Sequence, residues 1–477
     1  MSLTRRAYAG AKWLSLSSLF GNGLQLLQLV VLARLLPAED FGLMAMASVV
    51  IGLVQSYADM GMGNVVIHRQ DATERQLSSL YWLNVLIGIA AFCLAQMAAP
   101  WLAELWHTPA LIGVLRWSAV IFLLEPLGQQ LRLRLEKHLY FGKLAAIESA
   151  ASLVAFAVAL ACAWRGDGVY ALVWGQLAGV AGKAVCLLVA GGDRPTLCLD
   201  LGEIRGFLRF GLYQMGERSI NFLGSNLDKL LLGSLLGMQV LGYYNVAYQL
   251  MSKPYQVFNP ILTRVAFPVF ARMQDEEARL RRGFLQLISL VALVMFPVYA
   301  LLIALADPLL DLLLGSAWQP AVGTFQVLAL LGFFYSLGNP LGSLLLAKGR
   351  TDISFFLNCL MIGLYLPAIL LGARYGGLGV AWSLVAATAI GLFPVGFLVR
   401  YRLVGMRPGE YLAAFAPMAA SAAVVACLAH FLDGRWQAPG NGPLRLVVLT
   451  TAAGLAYLAL VYRFKKDEWR TLWAALR

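Results

Sequence analysis

The sequence predicts an all-α protein that crosses a membrane many times, and three observations predict it. Of 477 residues, 60% are apolar and 13% charged, against roughly 45–50% and about 25% in a soluble domain, and the mean hydropathy is +0.72. Apolar runs recur along the chain, each close to the roughly 20 residues that carry a helix across about 30 Å of hydrocarbon. The 37 Lys and Arg outnumber the 25 Asp and Glu, for a net charge of +12, and they gather in alternate connections. This composition excludes an ordinary soluble enzyme and leaves little chain for a soluble domain.

Unbroken apolar stretches bounded by charge or turn residues place about fourteen spans, at 12–33, 41–62, 80–103, 112–131, 144–163, 169–190, 210–236, 240–262, 284–306, 320–346, 353–373, 377–399, 411–431 and 443–462. The first follows Arg5, Arg6 and Lys12 and has no small-residue cleavage site before Leu35-Leu36-Pro37, so it reads as a retained span rather than a removed signal peptide. The seventh and eighth are the most polar, carrying Glu217, Arg218, Asp228, Lys229 and Lys253. With both termini in the cytoplasm, the inside segments hold 27 of the 37 basic residues, among them Arg132, Arg134, Arg264 to Arg282 and Arg400 to Arg407. The outside segments hold only Arg34, Arg165, Arg374 and Arg435. That alternation is the positive-inside pattern, so topology accounts for the basicity and no nucleic-acid partner is needed.

Two flanking segments read as amphipathic helices lying on the cytoplasmic surface: Leu201, Ile204, Phe207 and Leu208, and, at the C-terminus, Trp469, Leu472, Trp473 and Leu476, the second with a solvated tail as the alternative. Cys93, Cys162, Cys186, Cys198, Cys359 and Cys427 show no CxxC spacing and are expected to be buried free thiols.

An internal repeat organises the spans. Residues 32–47 lie over 232–247, with Leu32/Leu232, Leu35/Leu235, Leu36/Leu236, Gly42/Gly242 and Ala47/Ala247 identical. A second echo sets Gly168–Trp174 over Gly376–Trp382. Both fit two six-helix lobes, 1–200 and 201–405, followed by two further spans and a tail in 406–477. A displacement by six helices keeps both lobes in the same orientation, so they are parallel repeats about an axis normal to the membrane, an arrangement that favours a transporter.

Ionisable groups inside spans are costly and face the bundle interior or a wet cavity. Gln214, Arg218, Asn221 and Ser225 recur at i, i+4, i+7 and i+11 on one face of the seventh span. That stripe lines either a hydrated cavity or a buried hydrogen-bond network. Lys229, Lys183 and Lys253 are the cations added to it as candidate substrate-binding residues, the last two with snorkelling toward the cytoplasm as the alternative. Asp59, Glu217 and Asp228 are the candidate coupling or gating carboxylates, while Arg116, Glu125 and Glu148 are further intramembrane charges. Excess positive charge suits an anionic head group such as a diphosphate. Pro254 and Pro260 bracket the end of the eighth span, and Gly338-Asn339-Pro340 is expected to interrupt the tenth. No HExxH, GxSxG, Walker or GxGxxG sequence is present. The expectation is therefore a non-enzyme without metal or cofactor, with H+ or Na+ as the candidate coupling ion.

The segments Ala33-Arg34-Leu35-Leu36-Pro37, Asp40-Phe41-Gly42-Leu43-Met44-Ala45, Ala58-Asp59-Met60-Gly61, Ile67-His68-Arg69-Gln70 and Gln76 to Asn84 resemble the polysaccharide transporter family of the multidrug/oligosaccharidyl-lipid/polysaccharide exporter superfamily. Within it, the resemblance is to WzxC-like oligosaccharide flippases. It implies two lobes around a cationic cavity and movement of an undecaprenyl-diphosphate-linked sugar repeat from the cytoplasmic to the periplasmic leaflet of a bacterial inner membrane, for exopolysaccharide, capsule or O-antigen synthesis. It also implies membrane lipids, a polysaccharide polymerase and a chain-length regulator as partners. A drug or cation antiporter and a lipid II flippase are the alternatives on the same architecture. A membrane-embedded glycosyltransferase or ligase would need catalytic carboxylates beside a large outside loop, and a scaffold would not need the polar stripe.

Overall fold

A computed structural model describes residues 3–58, 73–137, 140–190, 200, 219, 221–435 and 442–464. All regular structure among the described residues is helical. The chain divides into two compact units, residues 1–242 and 243–477.

The first unit contains α1 (Leu3–Leu35), α2 (Ala38–Ala58), α3 (Glu74–Leu105), α4 (Ala110–Ser118), α5 (Ile121–Lys137), α6 (Phe141–Arg165), α7 (Tyr170–Ala190), α8 (221–236) and the first turn of α9 (Met238–Arg272). The motif segments that carry the family resemblance have visible structural duties. Thr73 and Gln76 form a capping box at the start of α3, each side chain accepting from the other's backbone N–H at 3.2 Å. Ser79 accepts from the Asp200 backbone N–H at 3.0 Å. The Asp40 carboxylate accepts from the Val169 backbone N–H at the entry to α7, where a negative charge complements the helix dipole. On α6, Ala151, Ala155 and Ala159 form a small-residue stripe against Gly175 and Gly179 of α7, so these backbones approach closely.

The repeat appears in the geometry. A methyl on Gly42 would overlap the carbonyl oxygen of Met238, and a methyl on Gly242 would overlap that of Ala38. The two contacts are reciprocal at the same offset of 200 residues. The second echo also holds locally, since Gly168 and Gly376 both take a positive φ, +57° and +75°, at a helix entry.

The second unit holds the rest of α9, then α10 (Glu277–Ala304), α11 (Ala306–Leu314), a 3-10 turn (Ser316–Ala321), α12 (Val322–Ala347), α13 (Thr351–Ala373), α14 (Gly376–Ile390), α15 (Gly396–Val404), α16 (Pro408–Arg435) and α17 (Gly442–Phe464). Its core joins α10, α12 and α16 through Phe284, Ile288, Phe296, Leu337, Tyr411 and Phe415. Ser289 donates to the Ala414 carbonyl at 2.7 Å between α10 and α16. By contrast, α13 buries only Ile369 and Gly372 and exposes Phe355, Phe356 and Leu371. Apolar surface on that scale belongs against lipid.

Among the described residues twelve helical segments are long and apolar enough to cross a membrane, and they coincide with every expected span except the seventh and eighth. The described part of the seventh is α8. The eighth is the 35-residue α9, which runs ten residues past its expected end, continuous through Pro254, Pro260 and Pro268. The fourth span holds its place as one segment over Ala110–Lys137, with a turn of i+3 bonds from Val120, Phe122 and Leu123 between its two helical pieces. Other expectations need correction. Gly338-Asn339-Pro340 does not interrupt α12, and the Tyr411 hydroxyl donates to the Leu337 carbonyl beside this step at 3.2 Å. Of the five described cysteines, Cys93, Cys359 and Cys427 are exposed on outer helix faces rather than buried. The two expected surface helices at 201–209 and 465–477 lie outside the described residues.

Candidate functional site

In the first unit, α5 carries Glu125, Gln129, Arg132 and Glu136 at i, i+4, i+7 and i+11, on one face. Each finds a partner on a neighbouring element or along the helix. Gln55 of α2 donates to Glu125, and Asn84 of α3 donates to Gln129 at 2.6 Å. Arg132 meets Glu136 at 3.0 Å and Glu148 of α6 at 3.6 Å. Lys183 of α7 reaches the same Glu148 oxygen at 3.7 Å. One carboxylate thus ties two cations from different helices, above a small apolar cluster of Leu131, Leu135, Leu144, Ile147 and Leu187. The side chains retain 29–43% of their surface for Arg132, Glu148 and Lys183, so this polar seam stays open to solvent or ligand.

On α8, Asn221 and Ser225 are exposed and Asp228 is buried. Lys229 donates to Asn226 Oδ1 at 3.0 Å, and Asn226 in turn donates to the Phe222 carbonyl at 2.9 Å. The Phe222 ring lies against Gly52, and Gly233 lies against Met46, so α8 packs on α2. Gln214, Glu217, Arg218 and Asp59 lie outside the described residues. The structure brings Asn221, Ser225, Asp228 and Lys229 onto one helix and places Lys183 in the ion cluster.

In the second unit Lys253 is half-buried on α9, beside a longer neutral stripe on the same helix. Asn245, Gln249, Ser252, Gln256, Asn259 and Thr263 recur at alternating steps of four and three residues, which is one helical face. Ser252 donates to the Gln249 carbonyl, Gln256 to Ser252 Oγ at 3.0 Å, and Thr263 to the Asn259 carbonyl at 2.9 Å. The stripe covers 18 residue steps, about 27 Å at roughly 1.5 Å per residue, close to the hydrocarbon thickness of about 30 Å. Its residues are neutral donors and acceptors. They also explain why α9, although long enough, is not among the twelve apolar spans. Tyr255 of α9 stands 6.3 Å from Tyr335 of α12, and the Tyr299 hydroxyl donates to the Met251 carbonyl at 3.3 Å. Among the described residues no group of His, Cys, Asp and Glu is placed to hold a metal ion.

Arg400 corrects a further expectation. It reads in the sequence as a topogenic loop charge, yet it is 1% exposed. A π turn over Gly391–Val395, at Pro394, precedes it. Its Nη2 donates to the Leu392 carbonyl at 2.7 Å, and its guanidinium lies 4.0 Å from the Tyr411 ring and 5.3 Å from that of Phe397.

The apolar spans and the polar faces carried within this helical array define a multi-pass α-helical membrane protein of transporter architecture. Its fold is that of lipid II flippase MurJ in an inward closed conformation, with a TM-score of 0.76 over 95% of this chain and 99% of that one, at 15% identity. A family model described as polysaccharide biosynthesis protein matches residues 31–323, and the chain belongs to that family. It is 32% identical to the teichuronic acid biosynthesis protein TuaB of Bacillus subtilis (strain 168), over 97% of this chain and 96% of that protein. It is 34% identical to the lipopolysaccharide biosynthesis protein WzxC of Escherichia coli (strain K12), over 79% and 77%.

Proposed function

We propose that the protein is a flippase for undecaprenyl-diphosphate-linked oligosaccharide repeat units, moving them from the cytoplasmic to the periplasmic leaflet of a bacterial inner membrane by alternating access of two parallel lobes. The observation that carries this is the neutral polar stripe of α9. A sugar repeat brings many hydroxyls into the bilayer, and each hydroxyl buried without a partner costs roughly 1–3 kcal/mol. A row of amides and hydroxyls about 27 Å long supplies exchangeable partners through the whole crossing. Family membership over residues 31–323 and the alignment with TuaB over 97% of the chain agree with this reading.

In this scheme Lys229, Lys253 and Arg218 neutralise the diphosphate, with Lys183 available when Glu148 releases it, while the polyprenyl tail stays in lipid. Gln214, Asn221 and Ser225 extend the hydrogen-bonding surface. Asp59, Glu217 and Asp228 are the carboxylates through which an H+ or Na+ gradient acts. No covalent chemistry or bound cofactor is required. Both termini are cytoplasmic, and a polymerase and a chain-length regulator receive the product.

The test replaces Gln249 and Gln256 together by Leu in a strain whose surface polysaccharide depends on this gene. Lipid-linked repeat units should accumulate and surface polysaccharide should fall at least tenfold, with the protein still in the membrane. Normal polysaccharide in this variant overturns the role of the stripe. Gene deletion without accumulation of any lipid-linked sugar overturns the function.

A further inference from the structure

Away from these polar faces, the second unit contains a cavity of about 450 Å³ between the C-terminal part of α9 and the N-terminal part of α10. From α10 it is lined by Arg279, Arg282, Gly283, Gln286, Leu287 and Leu290, which share one helical face. From α9 it is lined by Ala266, Val269, Phe270 and Met273, one face again. The lining is graded. Two guanidinium groups stand at the end where the apolar span begins, at Glu277, and the wall becomes wholly apolar toward Leu290. From Arg279 to Leu290 is 11 residues, about 16 Å along the axis, or one leaflet of hydrocarbon.

Neighbouring contacts leave the two arginines to this groove. Arg281, on another face, is turned toward α16, where it pairs with Glu410 at 2.5 Å and donates to the Gly405 carbonyl. Arg282 makes one 3.3 Å bond to the Ala278 carbonyl of its own helix. Arg279 has a 3.3 Å contact with Glu276 in which both side chains are about 60% exposed, a pairing that water screens. Gly283 keeps the middle of the groove open, since a Cβ there would touch Met273 Cε at 3.4 Å.

We propose that this groove is a binding site for an anionic phospholipid of the surrounding bilayer. The phosphate sits between Arg279 and Arg282, and an acyl chain lies along Leu287, Leu290 and Val269. Charge complementarity at one end, an apolar wall at the other and a length matching one leaflet together select an anionic amphiphile over a free anion or a neutral lipid.

The full chain in detergent is titrated with dioleoylphosphatidylglycerol or dioleoylphosphatidylcholine, and bound lipid is counted by native mass spectrometry. Phosphatidylglycerol should be retained in preference. R279A/R282A should weaken it about tenfold or more, and R279K/R282K should restore most of the binding. G283L, which narrows the groove without altering charge, should weaken it as well and provides a test should the alanine variant fail to fold. Equal retention of both lipids, or undiminished phosphatidylglycerol in R279A/R282A, overturns the proposal. So does equal competition by glycerol 1-phosphate, which would mark an anion site, or preferential displacement by undecaprenyl phosphate, which would mark an entrance for the transported lipid.

Discussion

Alanine at Gly42 tests the reciprocal contact between the two copies of the repeat. In an ordinary exposed helix the change would stabilise by about 1 kcal/mol, because glycine is the poorer helix former. Here the added methyl overlaps the Met238 carbonyl oxygen, and at Gly242 it overlaps that of Ala38. Neither obstacle is a side chain that can rotate away, so the helices must separate by on the order of 1 Å, loosening the close packing of Phe41, Met46 and Leu241 around them. Overpacking of this kind costs about 1–3 kcal/mol, which exceeds the propensity gain. At Gly21 and Gly23 of α1 an added methyl would have nothing within 4 Å, so their alanine variants serve as controls expected to be neutral or stabilising. Melting of purified protein, followed by size-exclusion fluorescence, should therefore separate G42A and G242A from G21A and G23A. Because one separation relieves both overlaps, G42A/G242A should cost clearly less than the two single losses added. Wild-type melting in G42A, or strict additivity in the double variant, would refute the reciprocal-contact argument.

Other outcomes follow from individual contacts. Arg400→Met removes the hydrogen bond to Leu392 and the stacking on Tyr411 but also the desolvation cost of a buried guanidinium whose Nε and Nη1 have no partner, so stability in denaturant melts should fall by no more than about 1 kcal/mol. Glu148→Gln weakens the shared anchor for Arg132 and Lys183; with all three groups partly exposed, the loss should stay near 1 kcal/mol or below and shrink in high salt. Asp40→Ala leaves the Val169 N–H at the entry of α7 without its carboxylate and should cost about 1 kcal/mol by thermal melting. Lys229→Ala should stop polysaccharide export while leaving membrane insertion intact, and normal export would remove it from the mechanism.

Twelve of the expected spans were legible because each is one uninterrupted apolar run, and the repeat was legible because Gly42 and Gly242 meet a constraint that only glycine satisfies. The α9 stripe was not, although its spacing of four and three was present in the sequence. Asn245, Gln249, Gln256 and Asn259 are uncharged and sit among apolar neighbours, so no charge marks their face. The grouping of Glu125, Gln129, Arg132 and Glu136 on one face is hidden for a different reason. Arg132 and Glu136 lie beyond the expected end of the fourth span, and only the helix continuing to Lys137 aligns them with the first two. Arg400 was misplaced because the π turn at Pro394 lets its chain segment stay helical to Val404, carrying a cation into the core where a loop was expected. Ion partners such as Glu148 with Lys183 are invisible in sequence, since the two residues stand 35 positions apart on neighbouring helices.

The length of α9 has a mechanical consequence. At 35 residues and roughly 1.5 Å per residue it is about 52 Å long, some 20 Å more than the hydrocarbon it has to cross. A tilt of about 10° around its midpoint would sweep each end through about 4–5 Å. The polar row ends at Thr263, so about 13 Å of helix extends past it to Arg272, and a push applied there acts on the centre of the row through an arm of about 27 Å.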